Sequence, residues 1–171
     1  METRALRDGV PRHDFAPVRW GHLRSASPAD PYRARGKPRG PASCPDCRAV
    51  FARGRWTWLE PPPEAKAVLC PACHRVRDQH PAGFLVMSGP RLGALHDELT
   101  NQLRNEERRE NAEHPLERIM GLTQDPGEWV VTTTDAHLAR RLGEAVHRAH
   151  QGALTVQYNA EQRQVRVRWE S

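Results

Sequence analysis

A chain of 171 residues has room for one ordinary domain or two small ones, but only 37% of it is hydrophobic and 15 residues are proline, which excludes one large apolar core. No run approaches the roughly eighteen consecutive apolar residues of a membrane-spanning helix, and the opening METRALRDGVPRHDF lacks the apolar centre of a secretory signal, so the chain is expected in the cytoplasm with no membrane partner. The formal charge of +5 is unevenly placed: residues 1–43 hold nine Arg or Lys against four acids, and residues 44–171 hold 17 of each.

The first forty residues are the least foldable. Pro11, Pro17, Pro28, Pro31 and Pro38 interrupt every candidate helix, Pro41 follows at once, and few apolar residues recur at any period, so residues 1–40 are expected to be a disordered basic tail. Its densest run, RARGKPRG, carries Arg33, Arg35, Lys37 and Arg39. Flexible cations of this kind displace counterions from phosphates, which suits an anionic polymer; a solubilising tail with no specific partner is the plainer alternative.

Next come four thiols in two C-x-x-C pairs, Cys44 with Cys47 and Cys70 with Cys73. In a reducing compartment two such pairs favour metal thiolates over disulfides. A tetrahedral ion takes two sulfurs from each turn, and Pro45 and Pro71 supply the fixed φ that a tight knuckle needs. A redox C-x-x-C requires one pair only, so these four are read as ligands of one structural Zn2+, with iron the other metal that would suit four sulfurs. His74 is an alternative ligand, or a surface neighbour of the knuckle. Between the pairs, AVFARGRWTWLE alternates well enough for one or two short strands, PPPE turns the chain, and AKAVLC returns it to the second pair: a zinc ribbon over residues 41–80. Arg53, Arg55, Trp56 and Trp58 put guanidinium groups beside indoles, a combination that stacks on unpaired bases and contacts phosphates, although one of the two tryptophans is expected to be core.

Residues 81–171 are more regular, in the order β-α-α-β-α-β-β. FLVMSG (84–89) reads as a strand, and Leu92, Leu95, Leu99 and Leu103 mark a helix over about 91–112 whose last turns, NEERRENAEH, have no apolar face. Leu116, Ile119, Met120 and Leu122 suggest a second, short helix after Pro115. EWVVTTT is a strand, and Thr134 or Asp135 caps a helix with the stripe Leu138, Leu142, Val146 and Ala149 and an exit at Gly152. ALTVQY and QVRVRW form a hairpin about NAEQ, with Leu154, Val156, Tyr158, Val165, Val167 and Trp169 on one face and Arg163, Arg166 and Arg168 turned to water or a ligand. The expected class is α+β, a mostly antiparallel sheet with helices on one face. Arg140 and Arg141, on the polar face of the last helix, and Arg166 and Arg168 are further candidates for RNA contact.

The run Val130–Trp169, with its T-T-T turn, H-L-A-R-R helix and V-R-V-x-W strand, resembles the export adaptor of the large ribosomal subunit in archaea and eukaryotes, first named in nonsense-mediated decay as protein three. Short bacterial zinc-ribbon proteins are similar over about residues 44–169, through the C-P-x-C pairs, a GRWTW-like loop and HPLERI (His114–Ile119). The resemblance implies zinc on the four cysteines and contact with ribosomal RNA or a ribosomal subunit, and supplies no catalytic residue. The chain has one set of cysteine pairs where the adaptor has more, and lacks its further domains, so export is not carried over. Enzyme chemistry finds little support. His96, Asp97 and Glu98 are adjacent and diverge on a helix, Asp135 beside His137 is explained as a cap, and no glycine-rich phosphate loop or nucleophile elbow occurs. A non-catalytic zinc-ribbon RNA-binding protein without a small-molecule substrate is expected. The alternative is a zinc-stabilised protein–protein adaptor that uses the polar helix around Arg104–Glu113.

Overall fold

The computed structural model describes residues 16–17, 32, 38–159 and 164–171. They form two mixed sheets and three helices, an α+β architecture. In chain order the elements are β1 (Ala16–Pro17), β2 (Ala42–Ser43), β3 (Val50–Ala52), β4 (Arg55–Thr57), β5 (Lys66–Ala67), α1 (Pro71–Asp78), β6 (Gly83–Ser88), α2 (His96–Glu113), β7 (Ile119–Asp125), β8 (Glu128–Thr133), α3 (Ala136–His150), β9 (Ala153–Asn159) and β10 (Gln164–Glu170).

The larger sheet runs β1-β9-β10-β6-β8-β7, antiparallel at every pairing except the parallel one between β10 and β6. The connections β6-α2-β7 and β8-α3-β9 each join parallel strands that have other strands between them. Right-handed crossovers of this sort place both helices on one face. There they meet, Gln102 Nε2 donating to the Ala145 carbonyl at 2.8 Å. Under them lies the main core, in which Leu85, Met87, Val131, Val167 and Trp169 from the sheet face Leu99, Leu103, Leu138, Leu142 and Val146 from the helices. The approach of α3 is close: a Cβ on Gly143 would lie 2.4 Å from Val167 Cγ1. Asp135 caps this helix, its Oδ1 accepting from His137 N at 2.7 Å, and Gly152 leaves it at φ 91°.

Several expectations are corrected. The segment read as a short second helix is β7, an edge strand paired with β8 through a hairpin that turns at Gly127 (φ 85°). A register shift between Ile119 and Gly121 breaks its alternation, and its apolar residues divide, Leu116 packing with the cysteines and Ile119 and Leu122 with the main core. Helix α2 starts at His96, because Arg91–Leu95 form turns after Pro90. Ala149 is exposed, and His150 holds the buried position instead. The apolar-free end of α2 turns two carboxylates inward. Glu106 is held by Arg109 Nη2 at 2.5 Å and Glu110 by Arg141 Nη1 at 3.2 Å.

Most of the expected disordered tail, and the NAEQ loop from Ala160 onward with Arg163, lie outside the described residues. Within the tail, Ala16 and Pro17 pair with Tyr158 and Gln157 of β9, and the Tyr32 ring stacks on His80 and lies 4.3 Å from the Arg75 guanidinium, so the tail touches the folded body at both points. Among the described residues no helix is long and apolar enough to cross a membrane.

Candidate metal centre

Strand β2 delivers Cys44 into a turn that closes on itself: Cys44 N donates to the Ala49 carbonyl at 2.8 Å and Arg48 N to the Cys44 carbonyl at 2.9 Å, with Arg48 at φ 66°. The chain continues into the β3–β4 hairpin. Its two-residue tip, Arg53 and Gly54, has positive φ at both positions, the backbone twist that tight antiparallel pairs favour. Strand β5 then pairs in parallel with β2 and returns the chain to Cys70. The second pair opens α1, a helix absent from the expected ribbon. Cys70 is its N-cap, Pro71 opens its first turn, and Cys70 Sγ accepts from Cys73 N at 3.4 Å.

The four Sγ atoms lie within 4.8 Å of one another, and Cys47 Sγ and Cys70 Sγ are 3.7 Å apart. A tetrahedral ion with metal–sulfur bonds of about 2.3 Å requires sulfur–sulfur edges of about 3.8 Å. The donor set therefore fits one metal ion. All four cysteines are free thiols; Cys44, Cys70 and Cys73 are buried and Cys47 is half-buried. His74 is not in the cluster. Four protein ligands close a tetrahedral site, so such an ion would crosslink the chain and offer no position to a substrate.

Positive groups surround the sulfurs. Cys70 N donates to Cys44 Sγ at 3.4 Å, and the N-terminal turn of α1 points its amides at the second pair. Arg118 Nη2 stands 3.2 Å from Cys73 Sγ and 3.6 Å from Cys70 Sγ. Hydrogen bonds from Cys47 and Cys70, together with Arg118, hold the Cys73 thiol well below its ordinary range. The same crowding raises its neighbour: hydrogen bonding to Cys47 and Cys73, with burial, pushes the Cys70 thiol above its ordinary range. Burial works most strongly against the charge on Arg118, but the hydrogen bond to Cys73 and the charge attraction of Cys73, Cys47 and Cys70 together outweigh it and raise the guanidinium pKa. On the outer side, Asp46, inside the first turn, takes a two-pronged contact from Arg77 of α1 at 3.0 and 2.6 Å, tying the two cysteine pairs together.

The RNA candidates are dispersed. Arg53 and Arg55 are exposed on the hairpin tip, and Trp58, 39% exposed, donates Nε1 to the Asn111 carbonyl at 2.6 Å. Trp56 is core, edge-on to Phe51. Arg39 is exposed, while Arg33, Arg35 and Lys37 lie outside the described residues. Arg140 pairs with Glu144 at 2.9 Å, and Arg141 serves Glu110. Arg168 is exposed, but Arg166, expected to face water or a ligand, is 2% exposed, its guanidinium 5.9 Å from the Phe84 ring centroid. The face of β10 away from the helices is thus interior at Arg166, and period-2 alternation cannot distinguish a solvated face from a covered one. The sequence reading placed Leu116 in an apolar cluster and Thr134 at a helix cap and gave Arg118 no role, so their part around the cysteines escaped it. Their contacts are non-local, and the HPLERI motif that contains two of them carries no spacing that points to a ligand.

No protein-family model matches the chain, and no curated protein or solved structure matches it.

Proposed function

We propose that this protein is a non-catalytic, zinc-stabilised RNA-binding protein that works on a ribosomal particle. One observation carries the reading: Arg53 and Arg55 are exposed at the tip of the β3–β4 hairpin and Trp58 is part-exposed at its base, which the cysteine cluster anchors. Zinc is the ion that four thiolates in a closed tetrahedron suit best, and its part is to crosslink the chain. The guanidinium groups contact phosphates, the indole offers a stacking surface, and the basic run Arg33–Arg39 adds charge that needs no fixed geometry. The likeness of Val130–Trp169 to the subunit export adaptor supports a ribosomal location in the cytoplasm.

Fluorescence anisotropy with a labelled unstructured RNA across a salt series tests the RNA reading. If the tail's excess of five positive charges is neutralised by phosphates, log affinity falls against log salt with a slope of about −3.5, and deleting residues 1–40 removes most of that slope. Replacing Trp58 by Ala costs about 1–3 kcal/mol of binding if a base stacks on it. An affinity indifferent to salt and to truncation would contradict the reading. Sedimentation of a lysate places the protein with ribosomal subunits if the ribosomal part holds, and with neither subunits nor free RNA if it fails. A protein-binding adaptor is the second reading, favoured by Leu59 and Val76, 58% and 46% exposed on the cysteine region. The free polar helix that reading relied on is partly occupied, since Glu106 and Glu110 of α2 turn inward.

A further inference from the structure

HPLERI, His114–Ile119, joins α2 to β7 and lies between the cysteine region and the larger sheet. Its side chains face both ways. Leu116 packs into the cluster formed by the cysteines, Phe51 and Trp56. Arg118 is fixed at its backbone by Thr134, which accepts from Arg118 N at 2.9 Å and donates its hydroxyl to the Leu116 carbonyl at 2.6 Å. Its side chain reaches the sulfurs of Cys73 and Cys70, and its Nε is buried with no partner among the described residues. A buried guanidinium with an unmet donor is costly unless negative charge stands beside it. A divalent ion on four thiolates carries a net charge of −2, and supplies that charge permanently. The chain of contacts continues outward: Ile119 N donates to Glu107 Oε1 at 2.6 Å, Asn111 Nδ2 to the Glu117 carbonyl at 3.3 Å, and Trp58 Nε1 to the Asn111 carbonyl.

We propose that Arg118 is a positioning residue through which the metal centre governs the α+β region: with the ion bound, its guanidinium is clamped on the thiolates of Cys70 and Cys73, and loss of the ion releases residues 107–119 and the grip of Asn111 on Trp58. The cysteine centre then does more than hold its own small sheet. It sets the orientation of the Arg53–Trp58 hairpin against α2, so metal status reaches the surface assigned above to RNA. The inference rests on the metal reading alone and is independent of whether RNA is the partner.

Hydrogen–deuterium exchange on the full chain, paired with chelator competition for zinc, tests it. Stripping the wild-type protein raises exchange over 107–119 as well as around the cysteines. Metal-loaded R118Q binds zinc about 10- to 100-fold more weakly and exchanges 107–119 toward the stripped level, while α3 keeps its protection. R118K retains the charge but replaces the planar guanidinium with a shorter side chain ending in an ammonium, and falls between the two in both measurements. R118Q equal to wild type in affinity and exchange overturns the proposal, as does a stripped wild type whose 107–119 amides stay protected. Should R118Q fail to fold, R118K decides: wild-type values in both measurements are the overturning result. A wild-type protein that binds no zinc brings down the metal centre itself, an outcome separate from the failure of Arg118.

Discussion

The cysteine region and the α+β region that follows it hold together by different means. Beneath α2 and α3 lie large side chains, among them Trp169, Leu85, Met87, Leu99, Leu138 and Leu142, all at 0% exposure. Each such side chain contributes about 1.5–3 kcal/mol on burial. Around the cysteines the strands are two or three residues long, and the buried cluster is Ala42, Ala49 and Ala72 with Phe51, Trp56 and the thiols, only the part-buried Val68, Leu69 and Leu116 packing against it. Two buried aromatic residues and a few part-buried aliphatic ones make a small core for a four-stranded sheet, whereas a structural zinc site supplies about 10–16 kcal/mol. In one region the apolar core is the stabilising element, and in the other an ion on the four cysteines would take its place.

The contrast is broken most severely at a ligand. Replacing Cys70 by Ser should abolish tight metal binding and unfold the cysteine region, read as loss of the near-ultraviolet signal of Trp56 and Trp58, because most of about 10 kcal/mol of metal-linked stability disappears; the α+β region should still melt cooperatively. Leu85→Ala should do the reverse, lowering the stability of the α+β region by about 2–5 kcal/mol in denaturant titrations while the bound metal stays stoichiometric. Gly143→Ala pushes a methyl group against Val167 Cγ1 and should cost about 1–3 kcal/mol in the same assay. The smallest effect is expected at the junction. Burial, with repulsion from Asp135, raises the Glu117 pKa. Its favourable contribution is therefore present below the ordinary carboxylate range and lost as pH rises through the raised value. Glu117→Gln should raise the melting temperature slightly at neutral pH, with no gain in acid below that range.

Local chemistry made the two C-x-x-C pairs, the Asp135 cap and the α3 stripe of Leu138, Leu142 and Val146 legible in the sequence, since each depends on residues a few positions apart. Helix α1 was missed because its first turn contains a metal pair, although Pro71 after a capping Cys70 is a helix start. Strand β7 was misread because a bulge at Met120, between Ile119 and Gly121, and an edge position leave every residue but the exposed Gln124 half-buried, erasing the period of two. Arg166 was misread as facing water or a ligand, and Arg118 was given no role. An arginine on a strand or in a connection is assigned to solvent by default, and only the fold places one of them near Phe84 and the other on two sulfurs.

The central claim, that an ion on Cys44, Cys47, Cys70 and Cys73 is the core of the first region, is tested most directly by metal analysis of the purified native chain before and after chelation, with tryptophan signals followed in parallel. One zinc per chain, and collapse of the Trp56 environment when it is withdrawn, is the predicted result. A chain that carries no metal and keeps the hairpin ordered would contradict it.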